Sequence, residues 1–278
     1  MYHFIGIGGI GMSGLARLLM QKGEKVSGSD ITDSQVIESL SSMGAKISIG
    51  HSKEHIPQAA SVVFSTDIKE DNPEWISAKE RGLTLMHRSK LLAMLMKDKK
   101  ALLVSGTHGK TTTSSLLAHV IVETWANTCF AIGGIVKKYG VNSLWSQGEY
   151  FVAEADESDG SFLEYFPHAA IITNIDLDHL AHWQNEQNLL EGFTCFANKV
   201  PRDGYLLWCK DDKRLSSLSL QGISYGFSDD ADARLLEFRS HGLAILFTLE
   251  FRGVTYKDIH VPLLGRHNAL NAAGPEVI

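Results

Sequence analysis

The strongest constraint on this chain is a pattern it uses twice: an apolar run, a glycine-rich turn, then a helix-like run. The first copy is "YHFIGIGGIGMSGLARLLMQKG", starting at Tyr2, and the second is "ALLVSGTHGKTTTSSLLAHVI", starting at Ala101. A strand that ends in such a turn and feeds a helix belongs to a parallel sheet, since the helix is the crossover to the next parallel strand. The N–H groups of the turn and the positive end of the helix dipole together favour an anion. Two copies therefore predict two α/β units, each with its own anion site.

Between the copies the alternation continues through "EKVSGSD", "SQVIESLSSMG", "AKISIG", "SVVFST", "NPEWISAKERG", "LTLMHRS" and "KLLAMLM", which is the reading of a sheet wrapped by helices. "KDKK" at 97–100 is a charged break. The expected division is thus a Rossmann-like α/β domain over residues 1–97 and a second, P-loop-like α/β domain over residues 98–278. In the second domain "ALLVSG", "EYFVAEA" and "AAIITNI" read as strands that end in polar turns. From about 204 to 264 the chain turns strand-rich, with "GYLLWC", "GISYGF", "LAILFTLEF" and "VTYKDIHVPLL", so an added antiparallel layer or hairpins are expected. "GRHNALNAAGPEVI" starts like a helix and then meets Pro275 three residues from the end, and a chain that stops as an element begins is expected to be truncated.

Composition excludes several functions. A chain of 278 residues with 44% hydrophobic content can bury two cores. Its net charge of −6, with both signs interspersed, offers no basic field to nucleic acid or to a membrane surface. The N-terminus lacks a basic region before its first apolar run, and no apolar stretch reaches the roughly 18 to 20 residues of a membrane span. Cys129, Cys195 and Cys209 are far apart, with no C-x-x-C pair. Buried free thiols in a reducing cytoplasm are the expectation.

The chemistry sits in the turns. "GIGGIG" places Gly6, Gly8 and Gly11 in the G-x-G-x-x-G pattern of a dinucleotide-type site, and Asp30 closes the next strand where a carboxylate can hold a ribose hydroxyl. This motif alone does not separate NAD from a UDP-sugar, because both carry a pyrophosphate. "GTHGKTTT" ends like a P-loop but has Val104 where the full pattern needs its first glycine. The backbone of 106–111 can still wrap a polyphosphate, Lys110 can set a point charge on its terminal phosphate, and Thr111 or Thr112 can reach Mg²⁺. His108 either touches substrate or braces the turn. "VAEADESDGSF" contributes Glu154, Asp156, Glu157 and Asp159, while "TNIDLDHL" contributes Asp176, Asp178 and His179. Both groups end strands, where ligands of open α/β sheets bind, and hard oxygen donors beside a polyphosphate suit Mg²⁺.

In order and in spacing, "GIGGIGMSG", "SGSD", "GTHGKTTT", "AEADESDGSF", "TNIDLDHL" and "GRHNALNA" resemble the Mur ligases of peptidoglycan synthesis, from Tyr2 to about Ala273. The resemblance implies a cytoplasmic enzyme that uses ATP and Mg²⁺ to join L-alanine to UDP-N-acetylmuramate through an acyl phosphate. It makes the second domain a central ATPase domain and assigns Gly8, Gly9, Ile10, Gly11, Met12, Ser13 and Asp30 to the UDP-sugar. ATP falls to Gly106, Thr107, His108, Gly109, Lys110, Thr111 and Thr112, with Asn268 and Asn271 near the adenine. Thr111, Glu154 and His179 would serve the metal, and Lys110, Glu154 and His179 would form the catalytic set. The family's third domain, which receives the amino acid, is expected to lie outside these residues, so negligible turnover is expected of them alone. The rivals are a ligase that recycles a murein tripeptide, a non-catalytic nucleotide-binding module and, further off, an NAD-dependent dehydrogenase.

Overall fold

The structure, a computed structural model, describes residues 1–125, 127–178 and 180–278. It divides into two compact units, Met1–Asp98 with Cys129–Gly148, and Lys99–Thr128 with Glu149–Ile278. Segment 129–148, which position along the chain assigns to the second domain, therefore groups with the first.

The first unit runs β1 (Tyr2–Ile5), α1 (Ile10–Gln21), β2 (Val26–Asp30), α2 (Gln35–Ser42), β3 (Lys46–Ile49), β4 (Ser61–Phe64), α3 (Pro73–Glu80), β5 (Leu85–His87) and α4 (Arg88–Met96). These five strands pair in parallel, in the Rossmann-like order β3-β2-β1-β4-β5. Helix starts are written locally. Ser34 caps α2 by accepting from the Ile37 N–H, and Asn72 caps α3 just before Pro73. The central strand β1 is covered on both faces, with His3, Phe4 and Ile5 fully buried. Each such apolar side chain contributes roughly 1.5 to 3 kcal/mol. Because strand order departs to both sides of β1, its carboxyl end is the sheet's switch point, and the first glycine turn lies there.

The chain continues with β6 (Lys100–Ser105), α5 (Lys110–Trp125), β7 (Cys129–Val136) and β8 (Val141–Leu144). The β7–β8 hairpin packs on α1 in the first unit, and Asn142 Nδ2 donates to the Ile10 carbonyl at 2.7 Å. Then come β9 (Tyr150–Glu154), β10 (Ala169–Ile172), α6 (Leu180–Trp183), α7 (Glu186–Ala197), β11 (Tyr205–Cys209), α8 (Lys213–Ser217), β12 (Ile223–Gly226), β13 (Ala233–His241), β14 (Ala244–Phe251), β15 (Val254–Val261) and α9 (Arg266–Val277). In the second unit the strand order is β15-β14-β13-β12-β11-β10-β6-β9, parallel from β9 to β13 and antiparallel beyond. Of the strand-rich segment, β11 and β12 are thus parallel members of the sheet rather than an added layer, and only β13, β14 and β15 form antiparallel hairpins on its edge. β6 lies between β9 and β10, so the second glycine turn also leaves a switch point.

α9 passes through Pro275 to Val277. A proline this close to a helix end forfeits one N–H bond near the last turn, and Ala269, Ala272, Ala273 and Pro275 are buried in the unit's core.

Candidate functional site

The second-unit loop is shaped by two glycines. Gly106 has φ +128° and a Cβ there would meet Thr173 and lie 2.9 Å from the Asn174 carbonyl. Gly109 has φ +85°, and its Cβ would lie 2.5 Å from Asn271 Oδ1. A side chain at either position is strained, since each combines a left-handed backbone with a close approach. The segment after β10 then grips the loop. The Thr107 N–H donates to the Asn174 carbonyl (3.0 Å) and the His108 N–H to Asn174 Oδ1 (2.8 Å), while Thr173 Oγ1 (2.7 Å) and Asn174 Nδ2 (2.8 Å) both donate to the His108 carbonyl. The turn is braced by backbone bonds. The His108 ring is 61% exposed and faces Asp176 at 3.5 Å and Asp178 at 3.9 Å. Asp176 is held below the usual carboxylate range, first by the Leu177 N–H and then by His108 and Arg214.

Lys110 opens α5 and folds back over the loop. Its Nζ donates to the Gly106 carbonyl (2.8 Å), the Thr107 carbonyl (3.3 Å) and Glu157 Oε2 (2.8 Å). Further along α5, Ser114 Oγ donates to Glu154 Oε1 and to the Thr111 carbonyl, both at 3.3 Å. Thr111 therefore lies in the turn of α5 that Ser114 joins to Glu154, and Thr112 follows it. Asp156 and Asp159 turn an oxygen inward to accept the N–H groups of Ser158 (3.2 Å) and Ser161 (2.9 Å). His179, expected with this group, lies outside the described residues.

Asn271 is buried against Gly109 and donates from Nδ2 to Asn268 Oδ1 at 3.1 Å. It also lines a cavity of about 170 Å³ with Asn174, Asp211, Asp212, Tyr225 and His267. Asn268 itself is half-buried, and its Nδ2 donates to the Leu264 carbonyl at 2.8 Å. Cys209 also borders this cavity, and burial pushes its thiol up to about 12, so it stays a neutral wall. Cys129 is buried as expected, whereas Cys195 is exposed.

In the first unit, Gly6 turns with φ +77° and, like Ile7, donates its N–H to the Ser29 carbonyl. The Gly8 N–H donates to Asp30 Oδ2 at 2.8 Å, and Asp30 Oδ1 accepts from the Thr32 N–H at 3.2 Å. Gly9 sits at the N-cap of α1 with no side chain to satisfy the first N–H groups of the helix, which Ile10 and Gly11 open. Met12 and Ser13 point inward, and Ser13 Oγ donates to the Ile10 carbonyl, so these two can offer a ligand only backbone. A Cβ at Gly11 would lie 3.7 Å from the Arg88 guanidinium. Sequence reasoning missed Arg88, although a cation that directly follows β5 is the kind of signal that could have found it.

Two strand-borne glycine loops, each leaving the switch point of a parallel sheet, define a two-unit α/β protein with the loop geometry that suits anions. The chain belongs to the Mur ligase family: residues 1–100 match the family's catalytic domain and residues 104–274 its middle domain. It is 48% identical over 273 residues to the UDP-N-acetylmuramate–L-alanine ligase of Protochlamydia amoebophila, covering 98% of this chain and 60% of that relative. The chain thus spans about three fifths of the length of such curated relatives. Among solved structures it is similar to the UDP-N-acetylmuramate–alanine ligase MurC of Thermotoga maritima, with TM-score 0.89 and 28% identity over 99% of this chain and 64% of that one. It is also similar to the UDP-N-acetylmuramate:L-alanyl-γ-D-glutamyl-meso-diaminopimelate ligase of Neisseria meningitides, with TM-score 0.89 and 26% identity over 99% and 91%. Among the described residues no helix is long and apolar enough to cross a membrane.

Proposed function

We propose that this chain carries the nucleotide-binding parts of a cytoplasmic ligase that joins L-alanine to UDP-N-acetylmuramate at the cost of ATP. In this reading residues 1–98 hold the UDP-sugar and the second unit holds ATP. The muramyl carboxylate oxygen attacks the γ-phosphorus, ADP leaves, and the L-alanine amine then displaces phosphate from the acyl phosphate to form the amide. The observation that carries the reading is Lys110, 16% exposed and folded over a loop whose two glycines take a left-handed backbone that strains any side chain. Phosphoryl transfer needs positioning and charge neutralisation more than covalent help, and such a loop provides both.

The division of labour follows from the turns. Lys110 would turn its ammonium to the β- and γ-phosphates, and the N–H groups of residues 106–111 would cradle them. Asn271, bonded to Asn268 and lying against Gly109, would join the loop to an adenine in the cavity beside it. At the first loop the open N–H groups that begin α1 would take the UDP pyrophosphate, and Asp30 would exchange its bond to Gly8 for a ribose hydroxyl. A divalent cation suits the donors present, the Glu154 carboxylate and the Thr111 hydroxyl, and the family resemblance adds His179 to them. Bound there, Mg²⁺ would neutralise charge that builds on the phosphate oxygens.

The curated relatives favour L-alanine as acceptor, at 48% and 41% identity for the first two. The likeness to the Neisseria ligase keeps the tripeptide as a second reading. Calorimetry of ATP with Mg²⁺ tests the core of the proposal. Lys110→Ala is expected to lose roughly 2 to 4 kcal/mol of binding or transition-state energy. Unchanged affinity in that variant would overturn it.

A further inference from the structure

We propose that Glu157 is the counter-ion that Lys110 must leave when a nucleoside triphosphate enters the 106–111 loop, and that the freed carboxylate then takes the divalent cation that arrives with it. The inference rests on the reading of that loop as the ATP site. A lysine ammonium has three N–H donors. All three are engaged here, by the carbonyls of Gly106 and Thr107 and by Glu157 Oε2. A phosphate can be received only if one of these bonds is surrendered. Glu157 is the anionic one, and beside a polyphosphate its charge repels.

Glu157 is itself only half satisfied. Its side chain is 2% exposed, and Oε1 is buried with no hydrogen-bond partner among the described residues. A buried carboxylate oxygen left bare calls for an explanation beyond stability, and a cation that visits the site is one. The backbone of this residue is pinned, because its carbonyl accepts from Trp183 Nε1 at 2.9 Å and from the Gly160 N–H at 3.1 Å. Exchange of partners is therefore confined to side-chain torsions. Position favours it too. Lys110 and Ser114 are four residues apart on α5 and stack on one face. Each holds one carboxylate, Glu157 and Glu154 respectively, so two hard oxygen donors line the same face of the helix that begins at the phosphate loop.

The test is titration of ATP into the 278-residue chain by calorimetry, first in EDTA and then with Mg²⁺. In Glu157→Gln the competing charge is gone, so metal-free ATP is expected to bind at least about tenfold tighter than to wild type, the equivalent of one charge-assisted hydrogen bond. The tightening that Mg²⁺ adds should shrink by a similar factor. Metal-free affinity equal to or weaker than wild type overturns the counter-ion, and an undiminished magnesium effect overturns the cation. Should Glu157→Gln fail to fold by circular dichroism, Glu157→Asp decides. It keeps the charge but falls one methylene short of Lys110, so metal-free ATP should tighten while the magnesium effect persists, and no tightening overturns the proposal. A wild-type chain that binds no ATP under either condition overturns the reading of the loop and this inference together.

Discussion

Among the described residues each unit buries one carboxylate, Glu74 in the first and Glu157 in the second, and the two are in opposite states. Glu74, fully buried on α3, accepts on Oε2 from His3 Nε2 (2.9 Å) and Ser29 Oγ (2.8 Å), and on Oε1 from the Ser52 N–H (3.2 Å) and His55 Nδ1 (3.3 Å). His51 stands 3.5 Å away and shares Ser29 Oγ. Glu157 has one oxygen on Lys110 and the other on nothing described. Burial is the same, but satisfaction is not. A fully bonded buried acid ties its elements together, here β1, β2, the segment after β3 and the first turn of α3. A half-bonded one ties down only the ammonium it faces, here Lys110, and leaves its second oxygen bare.

Removal of Glu74 should break the comparison most severely. Glu74→Ala strands the donors of His3, Ser29, Ser52 and His55, at a cost of about 3 to 5 kcal/mol. Urea unfolding measures this, and a loss under about 1 kcal/mol would mean that the network is no clamp. Gly8→Val comes next. Its Cβ would lie 2.9 Å from Asp30 Oδ2 and 3.2 Å from its Cγ, so overpacking should cost on the order of 1 to 3 kcal/mol. UDP-N-acetylmuramate binding should be lost and ATP binding nearly kept. The reverse pattern in calorimetry would invert the division of labour between the loops.

The smallest effect is a pH dependence. Burial opposes ionisation of Glu74, but hydrogen bonds from His3 and Ser29, the charge of His3 and the Ser52 N–H outweigh it, and the carboxyl titrates below its ordinary 4.5. A depressed folded value means the native state binds this proton less readily than the unfolded chain does. Glu74 therefore adds stability that is present above pH 4.5 and is lost as pH falls below it through the folded value. The slope is at most about 1.4 kcal/mol per pH unit for one proton. The stability gap between wild type and Glu74→Gln should accordingly narrow in unfolding experiments below pH 4.5. A gap that does not change with pH would show that the carboxyl is not ionised in the network.

What could be read without a structure was whatever chemistry is local. Gly6, Gly106 and Gly109 announce turns because only glycine takes those dihedrals without strain, and Lys110 follows its turn directly. The alternation of apolar and helical runs carries the two parallel sheets, since side-chain period follows from the backbone of each element. Other features were silent. β13 went unread because its "ARLLEFRSH" mixes charge into a strand that turns outward, and only pairing with β14 makes it one. The β7–β8 hairpin joined the first unit through α1, more than 100 residues away in sequence. Lys110 met Glu157 across 47 residues, and His108 met Asn174 across 66. The sequence by itself determined the turns, the helices and the kinds of donor present. Tertiary structure alone decided which donor meets which, because hydrogen bonds and charge pairs depend on distances of about 3 Å, and separation along the chain does not encode such distances.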